Sequence, residues 1–441
     1  MSTASRPGCG NYCPFTSTQE TPMVTKAPPA QEEKLIPLRR NGNFQALWTS
    51  EAFAAVAKET AEFAYPLLIL ATTGSAFWAG LIASVQLVVA GLTSLTAGQL
   101  ADRFDRKKLL IWCNLIRVAL LGGLAVMVMT DNVNLGVILV IAMLSAVCLS
   151  VSQPASLAAI KALVPPQQVP TAISQNQIRF FGATLIGPPA AGWLFGIARA
   201  FPYLGAAVSF LISTALLLFI KKPMQAASTI ADDGKRHAKD GFRLIRREPI
   251  LFWSLAWIMG SNLVFNHTGV FIALAATAND KGTESAVIGI SVAFAGAGGL
   301  LGSFFASWVL KHVSPSGIMW FAAWVGPVAA ALLAVVPNVI VMGVIVGVVF
   351  LRGPIVSALF LAYVAALAPD KLHGRVLGAV FFLSMLVQPI GIFTIGVIFD
   401  LGGPFAVFTF VGAIAVPVAF TTLTPTMRRL PRPEQLEESK L

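Results

Sequence analysis

Long apolar runs recur along almost the whole chain and constrain its fold more than any other feature. A helix needs about 20 predominantly apolar residues to cross a bilayer, and by that measure the sequence contains twelve such runs. Their approximate limits are 44–70, 76–100, 109–130, 135–162, 171–196, 201–220, 250–276, 286–310, 315–336, 339–367, 374–399 and 403–422. The sequence therefore predicts an all-α membrane protein with twelve transmembrane helices, called spans one to twelve below.

Composition excludes a soluble domain. Hydrophobic residues make up 56% of the chain and charged residues only 12%, about half the charged share of soluble proteins. The net charge of +11 would suit a nucleic-acid binder, but the cations cluster in loops between apolar spans, where they follow the positive-inside rule. We therefore expect no nucleic-acid partner, and both termini in the cytoplasm.

The predicted spans divide into two groups of six. The longest connection, residues 221–249, is rich in Lys and Arg and predicts a cytoplasmic linker between residues 44–220 and residues 250–422. Residues 163–165 match residues 367–369, and Gly187 and Gly192 fall on glycines at a similar offset in the second half, as internal repeats of transporters do. The remaining segments predict a disordered cytoplasmic N-terminal tail at 1–43 and a cytoplasmic C-terminal tail at 423–441.

Span one contains an unusual concentration of ionisable residues: Glu51, Lys58, Glu59 and Glu62. At 100° per residue, positions 51, 58 and 62 fall within about 40° of one another, so they form one stripe on the helix. Each charge at the bilayer centre costs about 2.5–3.5 kcal/mol on insertion scales, so such residues pair or line a cavity and are functional candidates. Lys58 and Glu62 have the i, i+4 spacing of an ion pair, which leaves Glu51 or Glu59 as the freer carboxylate for carrying a proton. The alternative is a structural network of salt bridges.

Single cations occur in other spans. Arg352 in span ten lies deepest and is suited to oppose a substrate anion or a carboxylate of span one, or to form a structural pair. Arg179 in span five is a second candidate for the cavity. Arg117 and Lys161 lie nearer the ends of their spans, where long side chains snorkel to the interface.

The loop between spans two and three combines a glycine with acids and bases in Gly98-Gln99-Leu100-Ala101-Asp102-Arg103-Phe104-Asp105-Arg106-Lys107-Lys108. The glycine would let two helices approach closely, and Asp102 would cap a helix start and hold a basic partner. We expect Gly98, Asp102, Arg103, Arg106 and Lys107 to form a conformational latch. The alternative is a turn whose cations only fix the orientation of the chain.

Span five contains the small and proline residues Gly187-Pro188-Pro189-Ala190-Ala191-Gly192. Small residues permit close helix packing, and the prolines remove backbone donors and bend the span. This run resembles the signature of antiporters in the major facilitator superfamily, with Ala191 where a second glycine is usual. The loop at 98–108 likewise resembles the signature between the second and third helices of that superfamily.

Further segments narrow the resemblance. Residues 44–66, 101–106, 163–165 and 374–376 resemble the branch that contains enterobactin and macrolide exporters, over nearly all of residues 40–422. The resemblance implies two six-helix bundles around a central cavity, with alternating access. Two features depart from it: Lys58 precedes Glu62 where the branch places an acid before a base, and span four lacks an arginine common in proton-coupled drug exporters.

These observations predict a secondary active transporter. The preferred hypothesis is a proton-coupled antiporter that exports a medium-sized amphipathic compound, such as a drug, a siderophore or another secreted metabolite. An importer or lipid flippase on the same fold is the alternative within transport, and a non-transporting membrane sensor is the alternative outside it. We expect a monomer in the bacterial cytoplasmic membrane, working with protons and a small-molecule substrate.

No catalytic, cofactor or metal site is predicted. The sequence has no Walker loop, no nucleophile elbow and no histidine cluster, so we expect no enzymatic activity and no cofactor. Cys9 and Cys13 in the N-terminal tail have no matching His or Cys pair that would complete a metal site.

Overall fold

The computed structural model describes residues 37–225 and 238–438. Within these ranges the chain forms α-helices and short 3-10 turns, and no strand. The helices are α1 (Gly42–Thr73), α2 (Ala76–Arg103), α3 (Arg106–Met129), α4 (Leu135–Leu163), α5 (Val169–Ile197), α6 (Phe201–Leu218), α7 (Ala238–Arg247), α8 (Pro249–Val264), α9 (His267–Asp280), α10 (Ser285–His312), α11 (Pro315–Val335), α12 (Val339–Leu367), α13 (Asp370–Phe420), α14 (Pro425–Arg428) and α15 (Pro433–Glu438).

Side chains in the short connections fix where the helices begin and end. The Asn41 side chain accepts a hydrogen bond from the Phe44 amide at the start of α1, at 3.1 Å, and satisfies an amide that the helix itself cannot. Asp105, Asn134, Asn266, Ser314 and Asn338 cap later helices in the same way. Gly74 ends α1 with φ +67°, a left-handed conformation that glycine adopts without strain.

Among the described residues, ten helical stretches are long and apolar enough to cross a membrane. One of them joins α8 and α9 into a single pass that is interrupted at Phe265 and Asn266. Another contains two passes, because Gly403 breaks α13 with φ +67° and ψ −166°. The 32-residue α1 is long enough for a further pass but carries the four ionisable residues described above. These features account for the twelve predicted spans.

The end of the bundle where α1 begins and α2 ends is called the tail face below, and the opposite end the far face. Near the far face, helices of the two halves cross closely at glycines. A Cβ on Gly80 of α2 would lie 3.1 Å from the Cα of Gly396 in α13, and a Cβ on Gly289 of α10 would lie 3.0 Å from the Cα of Pro189 in α5. Such crossings bring helix backbones into direct contact.

The buried apolar residues follow the same division. The largest cluster joins both halves; in it the ring of Phe63 in α1 meets that of Phe271 in α9 edge to face, with centroids 5.9 Å apart. Two clusters near the tail face each belong to one half, one around Leu47 and Leu110 and the other around Leu359 and Val376. The halves therefore share a core towards the far face and have separate cores towards the tail face.

A polar contact also joins the halves at the far face. The carboxylate of Asp400 in α13 accepts a hydrogen bond from the Ala76 amide at the start of α2, at 2.7 Å, and another from the Ser75 hydroxyl. A carboxylate at a helix N-terminus satisfies free amides and suits the helix dipole. We call this contact the Asp400 cap.

Several predicted boundaries differ in the structure. Span seven is two helices, because the Asn266 side chain caps a new helix at His267. The predicted linker contains α7, a helix that packs against α13, where a Cβ on Gly241 would lie 2.8 Å from the carbonyl carbon of Arg375. Of the predicted N-terminal tail, residues 1–36 lie outside the described ranges, whereas Leu38–Arg40 forms a 3-10 turn with Leu38 buried.

Candidate functional site

Lys58 holds two carboxylates of α1 at once. Its ammonium lies 2.9 Å from Glu59 Oε1 and 3.2 Å from Glu62 Oε2. The second contact is the ion pair that the i, i+4 spacing predicts. The Lys58 and Glu62 side chains are 23% and 29% exposed, whereas Glu59 is 4% exposed. One cation thus faces two acids, of which Glu62 is the more accessible.

Glu51 has a partner of its own. Arg179 Nη1 in α5 lies 3.4 Å from Glu51 Oε2, so the two residues predicted for the cavity meet across α1 and α5. The expectation that Glu51 or Glu59 would be left as the freer carboxylate is therefore wrong. It failed because helical spacing shows only pairs within α1, whereas the partner of Glu51 comes from a neighbouring helix.

Glu59 lies where α1 meets α5 and the second half. A Cβ on Gly187 would stand only 2.5 Å from the Cβ of Glu59, so the glycine is what lets α5 lie this close. His267 at the start of α9 is near enough to Glu59 for electrostatic interaction. The carboxylate is therefore placed between a helix of its own half and a helix of the other.

A small cavity adjoins Glu62. Its volume is about 20 Å³, and its walls include Lys58, Glu62, Gln86 and Arg117, which is room for about one water molecule with polar partners. Arg117 is 5% exposed, with its guanidinium 5.1 Å from the ring centre of Phe210. The expectation that Arg117 snorkels is therefore wrong, because its position at the middle of α3 leaves it too deep. Lys161, by contrast, is exposed.

A larger cavity lies in the second half. Its volume is about 330 Å³, and α8, α9, α12 and α13 line it. Arg352 of α12 reaches it while 4% exposed and donates hydrogen bonds to the carbonyls of Val349, at 3.2 Å, and Ala322, and to the Ser261 hydroxyl at 3.0 Å. Its guanidinium also stacks near two rings, those of Trp257 at 5.3 Å and Phe265 at 4.8 Å. Within the described ranges, no carboxylate forms an ion pair with Arg352.

His267 lines the same larger cavity. Its ring lies 3.7 Å from that of Phe271, centre to centre, and its Nε2 is buried with no hydrogen-bond partner in the described part of the chain. His267 was not among the residues singled out from the sequence. The break in span seven is the signal that would have placed it at a helix start inside the membrane.

The predicted latch is only partly described. Asp102 lies in the last turn of α2, and its side chain lies outside what the structure describes; Arg103 is exposed. Arg106 donates to the carbonyl of Met224 at 3.1 Å, and Lys107 to those of Leu218 and Ile220, at 3.2 and 2.8 Å. Both cations therefore bind carbonyls at or beyond the end of α6, and those bound by Lys107 lie where the helix dipole favours positive charge.

Two details of the latch differ from expectation. A Cβ on Gly98 would meet no atom within 4 Å, so no close helix approach occurs at this glycine, because the halves do not share a core on this side. The start of α3 is capped by Asp105, whose side chain accepts a hydrogen bond from the Lys108 amide at 3.0 Å and which lies outside the set predicted for the latch.

The glycines of the helix-five motif both lie at contacts. Gly187 faces Glu59, while Gly192 faces Ser285 and Gly289 of α10, where an added Cβ would lie 3.1 Å from the Gly289 Cα. Pro188, between them, is buried and lies beside Gly289. The motif therefore joins the ion-paired helix α1 to the second half.

Comparison with known proteins identifies the family. The sequence pattern of the Major Facilitator Superfamily matches residues 47–392. The chain belongs to this superfamily. Membership makes it a membrane transporter of small molecules and not an enzyme, as the resemblance of its motifs implied.

Characterised superfamily members resemble the chain to different extents. The multidrug efflux pump Tap of Mycolicibacterium fortuitum is 24% identical over 391 residues, which cover 85% of this chain and 92% of Tap. The multi-drug resistance efflux pump PmrA of Streptococcus pneumoniae is 31% identical over 153 residues, 34% of this chain and 37% of PmrA.

Solved superfamily structures agree with the fold. A D323A mutant of the nucleoside transporter NupG superposes with a TM-score of 0.70 at 12% identity, over 87% of this chain and 99% of that one. A bacterial homologue of the human lysosomal transporter Spinster, inward-facing and unoccupied, superposes with a TM-score of 0.65 at 15% identity. The match covers 91% of this chain and 98% of that one. The predicted all-α, twelve-helix fold is confirmed.

Proposed function

We propose that the chain is a proton-coupled antiporter that exports medium-sized amphipathic compounds. Its resemblance to the multidrug efflux pump Tap along most of both chains supports export of drugs. The family gives the fold for transport, and the charges of α1 supply groups that can carry the coupling proton.

The observation that carries the proton step is the sharing of Lys58 between Glu59 and Glu62. Glu62 lines the water-sized cavity and is the more accessible acid, so it is the proton-loading group. Protonating Glu62 removes its charge, so that Lys58 forms an ion pair with Glu59 alone. The other charged or titratable groups described around the site are Tyr65 of α1, Arg117 of α3, His267 of α9 and the Glu51–Arg179 pair of α1 and α5.

Protonation of Glu62 would affect the contact between the two halves. Glu59 packs against Gly187 and lies near His267, so a change in the Lys58 contacts acts directly on the meeting point of α1, α5 and α9. The halves share a core towards the far face and not towards the tail face. We assign this arrangement to the state open at the tail face, which the positive-inside pattern places in the cytoplasm of a bacterial cell.

In the alternating-access cycle that we propose, the 98–108 loop closes the tail face when the far face opens. Gly98, Asp102 and Arg103 would then meet the second half, while Arg106 and Lys107 stay on the end of α6. Each half contributes one of the two mid-membrane sites, so a monomer is sufficient for transport.

Accumulation of fluorescent and antibiotic substrates tests this function. An efflux-deficient bacterium expressing the chain should accumulate less of at least one compound in a panel of dyes, antibiotics and siderophores, and a protonophore should abolish the difference. Cells with Glu62→Gln should accumulate as much as cells with an empty vector, at equal amounts of protein in the membrane.

Other outcomes point elsewhere. Increased accumulation would indicate an importer, and movement of labelled lipid between leaflets of proteoliposomes would indicate a flippase. Export that a protonophore leaves unchanged would overturn the proton coupling but not the direction. No movement of any panel compound or lipid would favour a non-transporting sensor.

A further inference from the structure

We infer that the cavity of the second half binds the acidic group of amphipathic acids, with Arg352 as the anion-binding residue. The ligand class is an apolar or aromatic body with one carboxylate, sulfonate or phosphate. This inference rests on the proposed function, because it names the chemistry of the cargo, but it is tested by binding alone.

The first observation is the charge of Arg352. Arg352 is 4% exposed, and its guanidinium donates to two carbonyls and a hydroxyl, all of them neutral. Removing an unpaired charge from water costs several kcal/mol, and neutral hydrogen bonds recover only part of it. Guanidinium has five N–H donors, so hydrogen-bonding capacity remains for an anion.

The second observation is the orphaned nitrogen of His267. Its Nε2 has no partner within the described ranges although it is buried, and the residue lines the same cavity as Arg352. A buried polar atom without a partner costs about 1–3 kcal/mol. An anion or carbonyl in the cavity would accept a hydrogen bond from this nitrogen.

The third observation is the wall of the cavity. Trp257, Phe265 and Phe350 supply aromatic surface, and Asn262 and Gln388 supply amides. The volume of about 330 Å³ is at the lower end of the range for small-molecule sites. Aromatic walls with a few convergent polar groups are what orient a compound with an apolar body and a single charged end.

The carboxylates of α1 do not balance the charge of Arg352. The three carboxylates there already have Lys58 or Arg179 as partners. Of the three roles predicted for Arg352, pairing with a carboxylate of span one is therefore wrong, and opposition to a substrate anion remains a prediction.

Binding of a matched pair of fluorophores tests the inference. The probes are 5-dimethylaminonaphthalene-1-sulfonate and its neutral sulfonamide, titrated against the purified chain in lipid nanodiscs. The sulfonate should bind about tenfold or more tightly than the sulfonamide, since a hydrogen bond to a charged group contributes about 1.5–3 kcal/mol. Arg352→Gln should remove this preference, and Arg352→Lys should restore part of it.

Two further variants separate binding from folding. His267→Phe keeps a ring next to Phe271 but removes Nε2, so it should weaken sulfonate binding about fivefold and sulfonamide binding by a smaller factor. Arg199→Gln, at an exposed position between α5 and α6, should keep the full preference. Equal binding of both probes by the wild-type chain, or an unchanged preference in Arg352→Gln, would overturn the inference.

The outcome is distinguishable from failure of the proposed function. A chain that exports a cationic dye such as ethidium but does not prefer the sulfonate would refute the acidic cargo and leave export intact. A chain that prefers the sulfonate but lowers the accumulation of no compound would refute export and leave the anion site intact.

Discussion

The polar sites of the two halves differ in how their charges are balanced. In the first half, each of the three α1 carboxylates lies beside a cation, and the adjoining cavity has a volume of about 20 Å³. In the second half, Arg352 meets no carboxylate among the described residues, and its cavity has a volume of about 330 Å³. A balanced site next to a water-sized space suits proton exchange, whereas an unbalanced cation in a larger aromatic space suits a ligand.

The difference teaches that total charge is a poor guide to role in a membrane protein. Both sites carry cations within the membrane, and sequence alone places Lys58, Arg179 and Arg352 alike among functional candidates. The two sites differ in whether the cation has a carboxylate partner. An ion pair within the chain can be broken by protonation of its acid, whereas a cation without a carboxylate partner can bind an anionic ligand.

Removing the shared cation should give the largest effect. Lys58→Gln leaves Glu59 and Glu62 without their partner, and breaking a buried ion pair costs about 3–5 kcal/mol. We expect a clear fall in thermal stability in nanodiscs and loss of proton-driven export. Arg352→Gln removes an unpaired charge and should lower stability less; an equal or larger fall would mean that the second site is paired as firmly as the first.

Crowding the first site should have an intermediate effect, seen as slower proton-driven export. Gly187→Ala places a methyl group against Glu59, and overpacking costs about 1–3 kcal/mol. Proton-driven export in proteoliposomes should slow while the sulfonate preference of the second site stays. Gly196→Ala in the same helix is the matched control, because a Cβ there would meet no atom within 4 Å; the comparison fails if both variants slow export alike in the same assay.

Weakening the support of the second site should give the smallest effect. Ser261→Ala removes one hydrogen bond to Arg352 and should reduce the sulfonate preference about fivefold. Equilibrium titration of the two fluorophores measures it. Proton coupling, followed by dye efflux against a pH gradient, should not change, and a change there would show that the two sites are not separate.

Features set within one helix could be predicted from the sequence. The stripe on α1 and the Lys58–Glu62 pair depend only on helical periodicity, and the number of passes depends on runs of apolar residues. The Gly187 motif was singled out from its small residues, but its neighbour Glu59 was not foreseen, because that contact depends on how α5 lies against α1.

Features set between helices were missed or misread. Arg117 was expected to snorkel, although at 1.5 Å per residue it lies about 16 Å along α3 from Arg106. The Glu51–Arg179 pair, the His267 position and the larger cavity all require the packing of different helices. Gly98 shows the converse error, since its motif predicted a close approach that the halves do not make at the tail face in this arrangement.

The Asp400 cap has a consequence for how a ligand is received. The contact joins α2 to α13 in this arrangement, so in the proposed cycle each opening of the far face has to break it. At an exposed position such a contact contributes about 1 kcal/mol or less, which shifts the equilibrium constant towards the tail-open state by up to about fivefold. The cap therefore reduces the affinity that a ligand arriving from the tail face would lose to conformational selection.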